Sequence, residues 1–163
     1  IAKGRLAMGE IALTSSATLQ EAEAAFDASR FQYEKFLADN PEDREAAEGF
    51  IRSLVGLSSV RLREGSTQAS VALSSDALLR AADLNTTYND LDAQILLARS
   101  QIQRAGVHAH QARRDEALSL YRDAEVGLRH YKTDAPEHTE YLARAIRGQA
   151  VMLDDMGDFL GAP

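Results

Sequence analysis

An all-α fold of about seven helices, arranged as repeated helix pairs, is predicted by three observations. The 163-residue chain contains 28 alanines and 20 leucines, both strong helix formers. Val and Ile are sparse, which argues against a large sheet. A helical face recurs along the chain at near-equal spacing.

The recurrence is clearest between two stretches. Ala22, Phe26, Ser29, Tyr33 and Phe36 step along one helical face, and so do Ala117, Tyr121, Ala124, Leu128 and Tyr131. The following turns also agree: Asp39-Asn40-Pro41-Glu42 matches Asp134-Ala135-Pro136-Glu137. Half this shift uncovers a middle copy at Ser70, Ser74, Ala77, Ala81 and Leu84. A fourth start appears at Gly157-Asp158-Phe159, with Ala162 in the alanine role. The anchors Ala22, Ser70, Ala117 and Ala162 are 48, 47 and 45 residues apart.

Each unit reads as two helices. First helices are predicted over Lys3 to Leu13, Arg44 to Arg63, Asn89 to Ala112 and Thr139 to Met156, with second helices around the anchors. Pro41 and Pro136 stand in acidic turns, where proline can open a helix. Gly65 suits a C-terminal cap, and Ser66 or Thr67 can cap the next start. Asn85-Thr86-Thr87 is expected to separate the fourth and fifth helices, and Gly157 to end the seventh. Asn85-Thr86-Thr87 also matches a glycosylation acceptor, but capping is the preferred reading. Small residues at Ser58, Ala105 and Ala150, and at Ala22, Ser70 and Ala117, would let backbones approach closely. One helix pair cannot bury its apolar face alone, whereas stacked pairs share a core. The expected organisation is one helical-repeat domain over 1–163, with units near 1–40, 41–85, 86–135 and a truncated 136–163. The start at Ile1 and the stop at Pro163 read as a fragment of a longer chain.

The run from Arg113 to Ala124, Arg-Arg-Asp-Glu-Ala-Leu-Ser-Leu-Tyr-Arg-Asp-Ala, resembles the second helix of a tetratricopeptide repeat. Gly157-Asp158-Phe159 resembles the turn between that family's helices. The resemblance implies a right-handed α-solenoid of antiparallel helix pairs, with first helices lining a concave groove. The turn Asp39 to Asp43 and the run Met156 to Pro163 also resemble C-terminal repeat regions of some bacterial serine/threonine kinases, although no kinase motif is present. That implies a regulatory or docking region of a larger signalling enzyme, the alternative to a free-standing scaffold.

Composition narrows the function. With 18 Lys+Arg against 25 Asp+Glu, the net charge is -7, so no nucleic-acid partner is expected. No stretch of 18 apolar residues exists, so membrane insertion is not expected. A cytoplasmic location is the working expectation. The chain has no cysteine, hence no disulfide, thiolate site or cysteine nucleophile. Phosphate loops, nucleophile elbows and zinc-protease motifs are absent, and the ten glycines are scattered. No enzyme activity, metal or cofactor is expected. His108 and His110 would point about 200° apart on a helix. They are read, with His130 and His138, as surface histidines. Paired acids, Glu42-Asp43 and Asp154-Asp155, are read as capping or solvated groups near helix ends.

The arginines carry the functional expectation. Groove-facing positions implied by the resemblance include Arg52 and Arg63 in the second unit, Arg99 and His110 in the third, and Arg144 and Arg147 in the fourth. Arg52, Arg99 and Arg144 take the same place in successive units and would form a ladder. Planar guanidinium groups favour carboxylate or phosphate ligands. The expected partner is therefore a protein or peptide, of acidic character, unless the arginines only pair with neighbours such as Glu48, Asp92 or Glu140. Exposed repeat ends offer a further surface for homo-oligomerisation.

Overall fold

The computed structural model describes residues 2–14 and 18–161, with the side chains of 14 and 158–161 left out. Among the described residues it is all-α, with seven helices and no strand: α1 (Ala2–Thr14), α2 (Leu19–Asp39), α3 (Arg44–Arg63), α4 (Thr67–Tyr88), α5 (Leu91–His110), α6 (Arg114–Arg129) and α7 (Pro136–Gly161). The expected anchor at Ala162, and the side chain of Phe159, lie outside the described residues.

The chain divides into two compact units, Ile1–Arg80 and Ala81–Pro163, with the boundary inside α4. In the first, α1 packs on α2, α2 on α3, and α1 also on α3. In the second, α5, α6 and α7 repeat this scheme. The second-helix faces are buried as expected: Ala22, Phe26, Ser29 and Tyr33 on α2, and Ala117, Ala124 and Leu128 on α6. The middle copy, Ser70, Ser74, Ala77, Ala81 and Leu84, is buried throughout.

Glycines place the aromatic rings. A Cβ at Gly9 would lie 2.8 Å from the Phe26 ring, and one at Gly56 would lie 2.4 Å from it. A Cβ at Gly148 would lie 2.4 Å from Tyr121. Gly56 and Gly148 hold one position in the second and fourth repeats, 14 residues before Ser70 and Ala162, with Gln103 in the third; Gly9 lies 13 residues before Ala22. These three glycines thus have a packing role. Each leaves room for a ring from the neighbouring second helix.

Small residues close the pairs in two chemistries. In the first unit, Ser58 Oγ and Ser70 Oγ are 3.0 Å apart, and each hydroxyl reaches the other residue's carbonyl. Ser53 Oγ lies 3.1 Å from Ser29 Oγ. The corresponding residues of the second unit are Ala105 with Ala117, and Ala145 with Ala124. All four alanines are fully buried.

Helix ends follow local chemistry. Thr18 and Glu21 form a capping box at α2. Asp43 and Asp90 cap α3 and α5, accepting from the Ala46 and Ala93 amides. After α3, Gly65 adopts φ 80°, the Gly65 amide donates to Leu62 and the Ser66 amide to Arg61. The same double bond closes α5, where Ala112 at φ 59° donates to Ala109 and Arg113 donates to His108.

Several expectations need correction. Asn85-Thr86-Thr87 does not separate helices, because Thr86 and Thr87 hydroxyls donate back to the carbonyls of Ala82 and Asp83 and the helix continues. The break comes at Asn89, with φ 47°. Gly157 does not end α7, which continues to Gly161; an internal glycine keeps its amide donor and only weakens a helix. Pro136 opens α7, but Pro41 sits in a turn ahead of the Asp43 cap. Phe36 is 48% exposed, since it edges an open recess at the end of α2. Ala150 is exposed, because no helix follows α7 among the described residues to cover it. Asp154 and Asp155 lie within α7 rather than near an end.

Candidate ligand-binding site

In the first unit, Arg52 is half-buried on α3. It lines a recess of about 330 Å³ with Lys3, Glu10, Tyr33, Glu45, Glu48 and Gly49. A Cβ at Gly49 would lie 2.2 Å from the Tyr33 ring, so the glycine makes room for the tyrosine. Burial raises the Tyr33 phenol pKa, while Lys3 and Arg52 oppose the shift. Lys3 pairs with Glu45 at 2.5 Å, which raises the Lys3 pKa. Three carboxylates, Glu10, Glu45 and Glu48, thus share the recess with two cations, Lys3 and Arg52. An acidic ligand would meet repulsion here. Arg63 turns to α1 instead, donating to the Leu13 carbonyl at 3.2 Å. A cation there complements the helix C-terminus.

In the second unit, two of the predicted arginines meet one ring. The guanidinium carbon of Arg99, on α5, lies 5.9 Å from the Tyr141 ring centroid. That of Arg144, on α7, lies 5.3 Å from it. Cations over an aromatic face gain from its quadrupole. Tyr141 is buried with Ile95, Ala98, Ala124, Leu128 and Ala145, so its ring is a fixed platform. Burial raises its phenol pKa, and the two arginines pull the other way. Arg144 also pairs with Glu140 at 2.6 Å, with both side chains about half exposed. Arg147 and His110 are exposed on α7 and at the end of α5.

Of the neighbours expected to pair with these arginines, Glu140 does so. Glu48 pairs with Arg44 at 2.7 Å. The structure brings Arg99 and Arg144 together around Tyr141. Arg52 and Arg63 belong to the first unit and make different contacts there.

The surface reading fails for two histidines. His138 is buried, with Nε2 at 2.9 Å from the Leu128 carbonyl. His108 is 7% exposed, and its Nδ1 has no partner among the described residues. Burial first, then Arg104 and Arg113, lower its pKa. Arg104 is itself lowered by burial and by Arg113. Placing Gln101, Arg104 and His108 at apolar register positions is the sequence signal for this polar stretch. Among the described residues no three metal-ligating side chains gather, and no helix is long and apolar enough to cross a membrane.

No family model, curated protein or solved structure matches the chain.

Proposed function

We propose that the chain is a non-catalytic protein-interaction module that holds an acidic peptide or partner helix against α5 and α7. Within each unit the proposed architecture is a right-handed, tetratricopeptide-like stack of antiparallel helix pairs. The recurrent packing of α1 on α3 and of α5 on α7 supports it. First helices then line the binding groove. The observation that carries the reading is the pair of guanidinium groups, Arg99 and Arg144, on the buried Tyr141 ring. Tyr141 holds both cations on adjacent first helices, and the planar guanidinium fork suits a carboxylate.

Charge reversal tests this. R99E/R144E is expected to lose binding to an acidic peptide library by about tenfold or more, since a charge-assisted contact contributes about 1.5–3 kcal/mol. Circular dichroism checks that the helices remain. Unchanged binding by a folded double variant refutes the reading.

A further inference from the structure

We infer that the recess of the first unit binds a primary ammonium group on an aliphatic stem, and that Lys3 is its tethered stand-in. This inference does not rest on the proposed peptide site, which lies on other helices. The recess is walled by residues of α1, α2 and α3, consecutive helices that pack on one another. Its volume is about 330 Å³, enough for a small ligand or one long side chain.

Tyr33 points to a ligand. The residue is 6% exposed, and its hydroxyl makes no hydrogen bond among the described residues. Gly49 shows where that hydroxyl goes. The Tyr33 atom nearest to a Cβ built at Gly49 is Cζ, at 2.2 Å, with Cε2 at 2.5 Å and Cε1 at 2.7 Å. The tip of the ring therefore crosses α3 at this glycine and carries the hydroxyl into the recess. Lys3, Glu45, Arg52 and Glu10 all act electrostatically on the phenol, so it stands among the charges of the lining. A buried hydroxyl is ordinarily paired, and a ligand in the recess would pair this one.

The charges select the ligand. Glu10, Glu45 and Glu48 outnumber Lys3 and Arg52 in the lining, and the chain carries a net charge of -7. Both favour a cation. Lys3 shows which form of cation fits. Its ammonium lies 2.5 Å from a Glu45 oxygen, and both residues line the recess. Their side chains are 70% and 67% exposed, so the pair is weak and open to exchange. An incoming ammonium would replace Lys3 on Glu45 and donate a second N–H to the Tyr33 oxygen. Its stem would lie along Leu6, Ala7 and the Tyr33 ring.

Titration of the 163-residue chain with n-butylamine, read by NMR at the Gly49 amide, tests this. n-Butanol is the uncharged control. The expected result is saturable binding at roughly 1 mM, with none to n-butanol. Y33F keeps the ring and should weaken binding about tenfold, since a hydrogen bond to a charged group is lost. K3M frees Glu45 and should tighten binding about twofold to fivefold. Circular dichroism checks that both variants keep their helices. A capped peptide with one lysine separates the sources. Tighter binding than n-butylamine assigns the recess to a partner's lysine side chain, and weaker binding assigns it to a free amine; either supports the inference. No saturable shift up to roughly 50 mM overturns it. So does equal binding by n-butanol, unchanged affinity in Y33F, or no gain in K3M.

Discussion

Arg52 in the first unit and Arg144 in the second hold equivalent positions, and each has a tyrosine nearby. The ring comes from different helices. In the first unit α2 supplies Tyr33, and Gly49 on α3 leaves the space for it. In the second unit the position of Gly49 is Tyr141, and the position of Tyr33 is Leu128, which packs in the same cluster. Both tyrosines are 6% exposed. The volume beside the arginine is conserved, but its source is exchanged between helices. What differs is the charge around it. Arg52 sits among Glu10, Glu45 and Glu48, whereas Arg144 shares its ring with Arg99. Equivalent positions in a repeat thus specify a packing station, and its occupants decide its chemistry.

The largest contrast concerns the rings held by glycine. Phe26 is fully buried, while Tyr121 at the equivalent place is half-buried. F26A should cost about 3–5 kcal/mol in urea unfolding. Y121A should cost clearly less, and equal losses would break the distinction.

The small-residue contacts come next. S58A or S70A alone should cost about 1 kcal/mol, because one hydrogen bond of a buried pair is lost. S58A/S70A should return close to wild type, since it recreates the Ala105–Ala117 contact of the other unit. Strictly additive losses in this double-mutant cycle would deny that serine and alanine pairs are interchangeable.

The two closing turns differ by one methyl group. Nothing lies within 4 Å of a Cβ built at Gly65, so G65A should lose about 1 kcal/mol from backbone strain alone. Ala112 already carries that strain at φ 59°. A112G should therefore raise stability by up to about 1 kcal/mol, measured by thermal unfolding.

The smallest effect is a pH dependence confined to the second unit. The folded-state pKa of His108 is lowered, so the unfolded chain binds its proton more readily. Its contribution is complete above a pH of about 6.5 and is lost as pH falls through the folded value. H108L should flatten this acid limb of the stability profile. An unchanged limb would assign the dependence to other groups.

Much of the helix scheme was legible in the residues. The boundaries of α3 and the faces of α2, α4 and α6 followed from spacing, because an apolar stripe must match the helical period. The end of α4 did not, since threonine serves equally as a cap and as an internal donor to a carbonyl four residues back. The packing role of Gly9, Gly56 and Gly148 is not legible in the sequence, because the ring each accommodates comes from another helix. Among the site residues, Arg99 and Arg144 came from the groove-facing positions that the tetratricopeptide resemblance implies. Their shared ring was missed because Tyr141 replaces a glycine and a leucine at that place, Gly49 and Leu96. Arg52 and Arg63 could not be told apart from them by spacing, because the carboxylates around Arg52 and the helix end beside Arg63 come from distant segments.

Titration of one acidic peptide against R52E and R99E/R144E tests the contrast most directly. The account predicts that R52E binds within about twofold of wild type, while R99E/R144E loses about tenfold or more. Equal losses, or a loss confined to R52E, would contradict it.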